Sequence, residues 1–197
     1  MKTSFLLMAA LLVLLMSGCN IFSTVEPSLP PETQQGADTF GALVDEAVWL
    51  PRSFLFGFLG NPYRPRLEAF FDTSTHTFYL ESHRIIEKDS TEEGFMMFAD
   101  SVTIGDTIWL GNEGYGYPPS YHERYAYFFD QKLNVTYTTW SEDSLTYAGY
   151  VYLTGVHTEV DGQPRFVAGT FAFTARNADS TRYVEVTDGR FDVRLSN

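Results

Sequence analysis

The last stretch of the chain alternates apolar and polar residues with a period of two: Phe191, Val193 and Leu195 fall on one side, Arg190, Asp192 and Arg194 on the other. That period belongs to a half-buried β-strand, whose successive side chains point to opposite faces. The same rhythm recurs upstream. Val167, Phe171 and Phe173 share one parity and Thr170, Ala172 and Thr174 the other, and Arg182–Val186 also reads as a strand. Beyond residue 18 no stretch sustains apolar residues at i, i+3, i+4 and i+7 over three turns, so no long helix is expected.

Short polar breaks punctuate these strands at hairpin spacing. Asp188-Gly189 is expected to turn between Arg182–Val186 and Arg190–Leu195, and Asp161-Gly162 to follow Tyr147–Val160. Asp130–Leu133 separates Arg124–Phe129 from Val135–Thr139, and Thr73–His76 separates Leu67–Phe71 from Thr77–Ile85. Phe40–Val44 and Ala47–Leu50 can pair across Asp45-Glu46, although neither turn residue favours the positive φ that a tight hairpin requires. Tyr125, Tyr127 and Phe129 share one face and are expected in the core. About ten short strands joined by local turns imply an all-β antiparallel meander, forming a β-sandwich or a strongly curved open sheet or barrel. Periodicity does not choose among these, and no internal repeat is evident.

The N-terminus carries an address. Lys2 precedes the apolar run Phe5–Met16, which is shorter than the roughly 20 residues a membrane-spanning helix needs. A basic start, a short apolar core and small residues before a break describe a secretory signal peptide. Its end, Met16-Ser17-Gly18-Cys19, resembles the lipobox of bacterial lipoproteins, with Met16 where Leu is usual. The resemblance implies cleavage before Cys19, the chain's single cysteine, and acylation of its thiol with diacylglycerol and palmitate-like chains. One acyl chain holds weakly and two or more hold stably, because each buried methylene contributes about 0.8 kcal/mol. Asn20 in the next position implies the outer membrane by resemblance to Gram-negative sorting. Some Bacteroidota lipoproteins reach the cell surface through an acidic cluster just after the Cys, and by that resemblance the lone acid Glu26 implies the periplasmic face over the cell surface. The expected organisation is therefore a signal peptide over 1–18, a lipidated N-terminus and Pro-rich tether over 19–38, and a single all-β domain over 39–197.

Two segments are similar to an uncharacterised family of Bacteroidota lipoproteins. Leu29–Pro51 (LPPETQQGADTFGALVDEAVWLP) carries the family's Leu-Pro-Pro, Thr-x-x-Gly and Thr-Phe-Gly elements and a short hairpin ending in Trp, with Asp45-Glu46 where Asn-Gly is commoner. Gly169–Val193 (GTFAFTARNADSTRYVEVTDGRFDV) is similar to the family's terminal hairpins. The resemblance implies fold and envelope location and carries over no catalytic residue.

Composition narrows the chemistry. A net charge of −12 argues against nucleic-acid binding, since an acidic surface repels phosphates. A single cysteine removes internal disulfides and cysteine-rich zinc or iron–sulfur sites, and no cofactor is expected. His76, His83, His122 and His157 fall in no metal-ligand spacing; His76 is expected in a turn and His157 on a strand. The acidic pairs Asp45-Glu46 and Glu92-Glu93 read as solvated loop charges. Tyr115, Tyr117 and Tyr121 lie in a Gly/Pro-rich loop with Asn112, Glu113 and His122, a combination that stacks and hydrogen-bonds to sugars or peptides. Ser101, Thr107 and Ser144 each follow Asp and precede an aliphatic residue, which resembles the Bacteroidota O-glycosylation acceptor. The expected role is a non-catalytic, membrane-anchored β-domain with an envelope-structural or binding function, its partner a glycan or an envelope protein. The alternatives are a glycan- or peptide-binding module using the 111–123 loop, a hydrolase whose carboxylates meet in space, and a barrel holding an apolar ligand.

Overall fold

The computed structural model describes residues 27–51, 67–86, 91–111, 124–139, 148–158 and 164–195. These residues form strands β1 (Thr39–Val44), β2 (Ala47–Trp49), β3 (Leu67–Asp72), β4 (Thr77–Ile86), β5 (Thr91–Ala99), β6 (Thr107–Leu110), β7 (Arg124–Asp130), β8 (Val135–Thr138), β9 (Gly149–Thr158), β10 (Pro164–Arg176) and β11 (Tyr183–Arg194). The fold is all-β and every pairing is antiparallel.

The strands hydrogen-bond in the order β2-β1-β11-β10-β8-β7-β5-β4-β3, with β9 on β10 and β6 on β9. The long strand β10 divides one of its edges between two partners. β9 occupies it along Pro164–Phe173, and β8 meets it only at Arg176↔Thr138. That single pair is a fold line. On one side lies a first limb, β3-β4-β5-β7-β8; on the other lies a second limb, β2-β1-β11-β10 with β9 and β6.

Inward-facing aromatic rings hold the limbs together. Phe78 of β4 stacks on Phe191 of β11 with centroids 5.6 Å apart. Phe95 of β5 meets Phe40, Phe171 and Phe173 of the second limb at 5.4, 6.1 and 6.2 Å. The interior is filled by these rings together with Leu80, Met97, Leu110, Val151, Leu153 and Val167, all buried. The sheet path ends at β2 and β3, which do not pair with each other, so the barrel alternative gives way to an open sheet folded into two facing layers.

A buried polar knot ties the open side. Trp49 of β2 donates from Nε1 to Glu93 Oε2 at 3.0 Å, and Arg84 of β4 donates to the same oxygen from Nε and Nη2 at 2.8 and 2.6 Å. The Arg84 guanidinium also lies 5.1 Å from the centre of the Trp49 ring. Glu92-Glu93 is therefore a strand element whose second member is buried, not a pair of solvated loop charges. Asp45 and Glu46 are exposed in their turn, as expected.

The turns at Thr73–His76 and after Asp130 are where the sequence puts them, the second displaced by one residue to Gln131–Asn134. Asp45 and Glu46 do turn β1 into β2, and both adopt positive φ, 47° and 68°. What holds them is tertiary: the Asp45 amide donates to Glu185 O and the Glu185 amide donates to Asp45 Oδ1, both at 2.9 Å. β9 and β10 pair as the expected hairpin arms, with Asp161-Gly162 outside the described residues.

Three expectations are corrected. Asp188-Gly189 is not a turn. β11 runs through it as one strand carrying a bulge, with Asp188 at φ 50°, and the register against β1 and β10 slips there. Tyr125, Tyr127 and Phe129 are not core: Ala126 and Phe128 point inward and the other three lie on the outer face. Finally, part of the segment expected as free tether is docked. Thr33 Oγ1 and the Gln35 amide donate to Asp192 Oδ2 at 2.6 and 2.9 Å, and the Gly36 amide donates to Asp192 Oδ1 at 2.7 Å. Asp38 pairs with Arg194, whose guanidinium is held above its ordinary value by that contact. Pro30 and Leu29 lie so close to Gly41 that a Cβ there would come within 2.7 Å of the Pro30 ring. Leu29–Asp38 is thus a strap across the outside of β1 and β11, and it buries Asp192 to 1% exposure.

Candidate functional site

The register of the first limb aligns outward-facing side chains from strand to strand. Phe70 of β3 pairs with Tyr79 of β4, Tyr79 with Phe98 of β5, and Phe98 with Tyr125 of β7. Four aromatic residues on four adjacent strands make a stripe about 14 Å long, at the usual strand spacing of roughly 4.8 Å. Phe98 and Tyr125 stack at 5.4 Å and 22°, and Tyr127 meets Tyr125 edge-on at 5.0 Å. Phe70 is 48% exposed and Tyr79, Phe98 and Tyr125 are half-buried.

Carboxylates flank the stripe on both sides. The next row reads Glu68, Glu81, Met96, Tyr127 and Thr138. On the opposite side Asp72 pairs with Thr77. Hydrogen bonds from the Ser74 hydroxyl and amide hold the Asp72 carboxyl down at about 2, so it is anionic at any physiological pH.

Glu81 belongs to a chain of polar contacts. Tyr79 donates its hydroxyl to Glu81 Oε2 at 2.6 Å, Glu81 Oε1 meets His83 Nε2, and His83 Nδ1 meets Glu92 Oε1 at 2.6 Å. Phe129 packs on the His83 ring at 5.2 Å and covers Gly94, where a Cβ would come within 2.4 Å of its ring. The chain fixes the Tyr79 ring in the stripe through its hydroxyl. Both carboxylates that converge here spend an oxygen on one imidazole, which is not the open pair a glycoside hydrolase presents across a substrate. Among the described residues no group of three or more His, Cys, Asp or Glu side chains is arranged to hold a metal ion.

The sequence-predicted loop residues Asn112, Glu113, Tyr115, Tyr117, Tyr121 and His122 lie outside the described residues, as do Cys19 and Ser144. The described ends of that loop are joined by the Gly111 amide donating to Arg124 O at 2.9 Å. In sequence it precedes β7, whose second residue is Tyr125, the last ring of the stripe. Ser101 and Thr107 are exposed, Ser101 in a bend at φ 51° and Thr107 at the start of β6. His76 is exposed in its turn and His157 is on β9.

The stripe itself was missed from the sequence, because its four rings are brought together by register across 55 residues of chain. The available signal was the second parity of aromatics in Tyr125–Phe129, which leaves that strand apolar on both faces. Comparison with family models, with curated proteins and with solved structures gives no match, so the functional reading rests on this geometry.

Proposed function

We propose that the protein is a lipid-anchored envelope lipoprotein whose β-domain binds a glycan chain along the aromatic stripe, without catalysing its cleavage. The observation that carries this reading is the row Phe70–Tyr79–Phe98–Tyr125 with carboxylates on both flanks. Aromatic faces stack on the C–H faces of sugars, and Glu68, Glu81 and Asp72 accept hydrogen bonds from their hydroxyls. A row of rings crossing four strands suits an extended polymer better than a compact ligand. Acylation at Cys19 holds the domain at the membrane, Asn20 directs it to the outer membrane, and the periplasmic face is the favoured side. The Tyr115–His122 segment, outside the described residues, offers the same residue types and is the second candidate for this chemistry.

Affinity electrophoresis through gels containing soluble polysaccharides, with sedimentation on isolated peptidoglycan, tests the reading. Retardation or co-sedimentation is expected and should fall at least about tenfold in Phe70→Ala/Tyr79→Ala, the loss of roughly 1.4 kcal/mol of stacking. Binding that survives those changes but not Tyr115→Ala/Tyr117→Ala/Tyr121→Ala would move the site to the loop. Absence of binding to every polymer would remove the glycan role. Labelled palmitate should enter the wild-type chain and not Cys19→Ser.

A further inference from the structure

On the opposite face of the sandwich from the stripe, the strap and the second limb border a half-open hollow of about 380 Å³. Its walls are Glu32, Thr33, Gln34 and Gln35 of the strap and Thr154 and Thr170 of β9 and β10, with Gly169 and Phe191 at the floor. The volume falls within the range of roughly 300–1,000 Å³ typical of small-ligand sites. We propose that this hollow is a binding site for a single uncharged sugar residue, independent of the stripe.

Three features select that class. The walls are preorganised, since the Thr33 hydroxyl and the Gln35 and Gly36 amides are spent on Asp192 and lock the strap in place. The lining residues carry mixed polarity: the Gln34 and Gln35 side-chain amides and the Thr154 and Thr170 hydroxyls each donate and accept, and Glu32 accepts. That inventory matches vicinal hydroxyls, which also do both. The lining holds one carboxylate and no cation, which disfavours phosphate or carboxylate ligands. Tyr152 pairs with Thr170 on the same outer face, and Tyr150 beside it packs on Trp109 at 6.4 Å, so an aromatic shelf continues from the hollow's edge.

The test is saturation-transfer NMR on the full mature chain in detergent with D-glucose, D-galactose, D-mannose and N-acetyl-D-glucosamine, each on the order of 10 mM, enough to populate a millimolar site. At least one sugar should give transfer. The signal should drop about tenfold in Thr170→Val and in Gln34→Ala, persist in Thr170→Ser, and be unchanged in Phe70→Ala/Tyr79→Ala. Circular dichroism establishes that each variant is folded. No transfer from any of the four sugars overturns the proposal, as does transfer that survives both pocket variants. Loss in the stripe variant alone assigns the signal to the stripe and equally overturns it.

Discussion

Removing the Asp192 carboxylate isolates what the strap contributes. In Asp192→Ala the acceptors for Thr33 Oγ1, Gln35 N and Gly36 N disappear together. Hydrogen bonds to a charged acceptor contribute about 1.5–3 kcal/mol each. Against them stands the conformational freedom that Thr33–Gly36 regain on release, about 1–2 kcal/mol per residue. Only part of that freedom returns, because Pro30 against Gly41 and Asp38 on Arg194 still hold the ends of the segment, so the net loss is about 2–3 kcal/mol and not the sum of three bonds. For a domain of this size each kcal/mol lowers Tm by about 2–4 °C, which gives a drop of about 4–12 °C. Asp192→Asn keeps one carbonyl acceptor and should fall between. Hydrogen exchange provides the local readout: the Gln35 and Gly36 amides should lose protection while the β10–β11 ladder keeps it. Glu-C digestion should cut after Glu32 far faster in the variant. A Tm within about 1 °C of wild type, with Gln35 and Gly36 still protected, would refute the idea that Asp192 holds the strap.

Other perturbations have equally definite outcomes. Glu93→Ala leaves Arg84 and the Trp49 indole without their shared acceptor inside the fold and should cost about 3–5 kcal/mol in urea denaturation, whereas a loss under about 1 kcal/mol would show the knot to be incidental. Glu46→Gly relieves a non-glycine residue at φ 68° and should raise stability by about 0.5–1 kcal/mol without moving the β1–β2 register. Gly94→Ala drives a methyl into Phe129 and should cost about 1–3 kcal/mol, with loss of the ring's contact on His83 visible in NMR. Asp72 carries a pH signature. Its carboxyl is depressed from 3.8 to about 2, so its stabilising contribution is complete above pH 4 and disappears as pH falls through 2. Its NMR titration should move up toward 3.8 in Ser74→Ala.

Local chemistry made part of this fold legible. The Thr73–His76 and Gln131–Asn134 turns are polar breaks between apolar arms, and Asp72 and Asp130 cap them with side-chain acceptors. Where the sequence misleads, the deciding contact is distant. Asp188-Gly189 looks the same in a bulge as in a hairpin, and only continuous pairing with β1 and β10 makes it a bulge. Tyr125–Phe129 is apolar on both parities, so its inward face is chosen by what Ala126 and Phe128 meet across the layers. Thr91–Ala99 escaped notice because Glu92, Glu93 and Gly94 interrupt its alternation, and each is satisfied by a neighbour: His83, Trp49 with Arg84, and the Phe129 ring. Leu29–Asp38 has the composition of a linker, and its partner Asp192 lies more than 150 residues away.

If Cys19 carries the proposed acyl anchor, the docked strap also sets the stand-off of the domain. With Leu29 already fastened, only ten residue steps separate it from Cys19, a reach of at most about 33–36 Å, roughly half of what a loose segment running to Asp38 would allow. On the proposed anchoring, a head confined to so thin a layer would meet a neighbouring polymer at high effective concentration, and individually feeble contacts would be enough to keep it engaged.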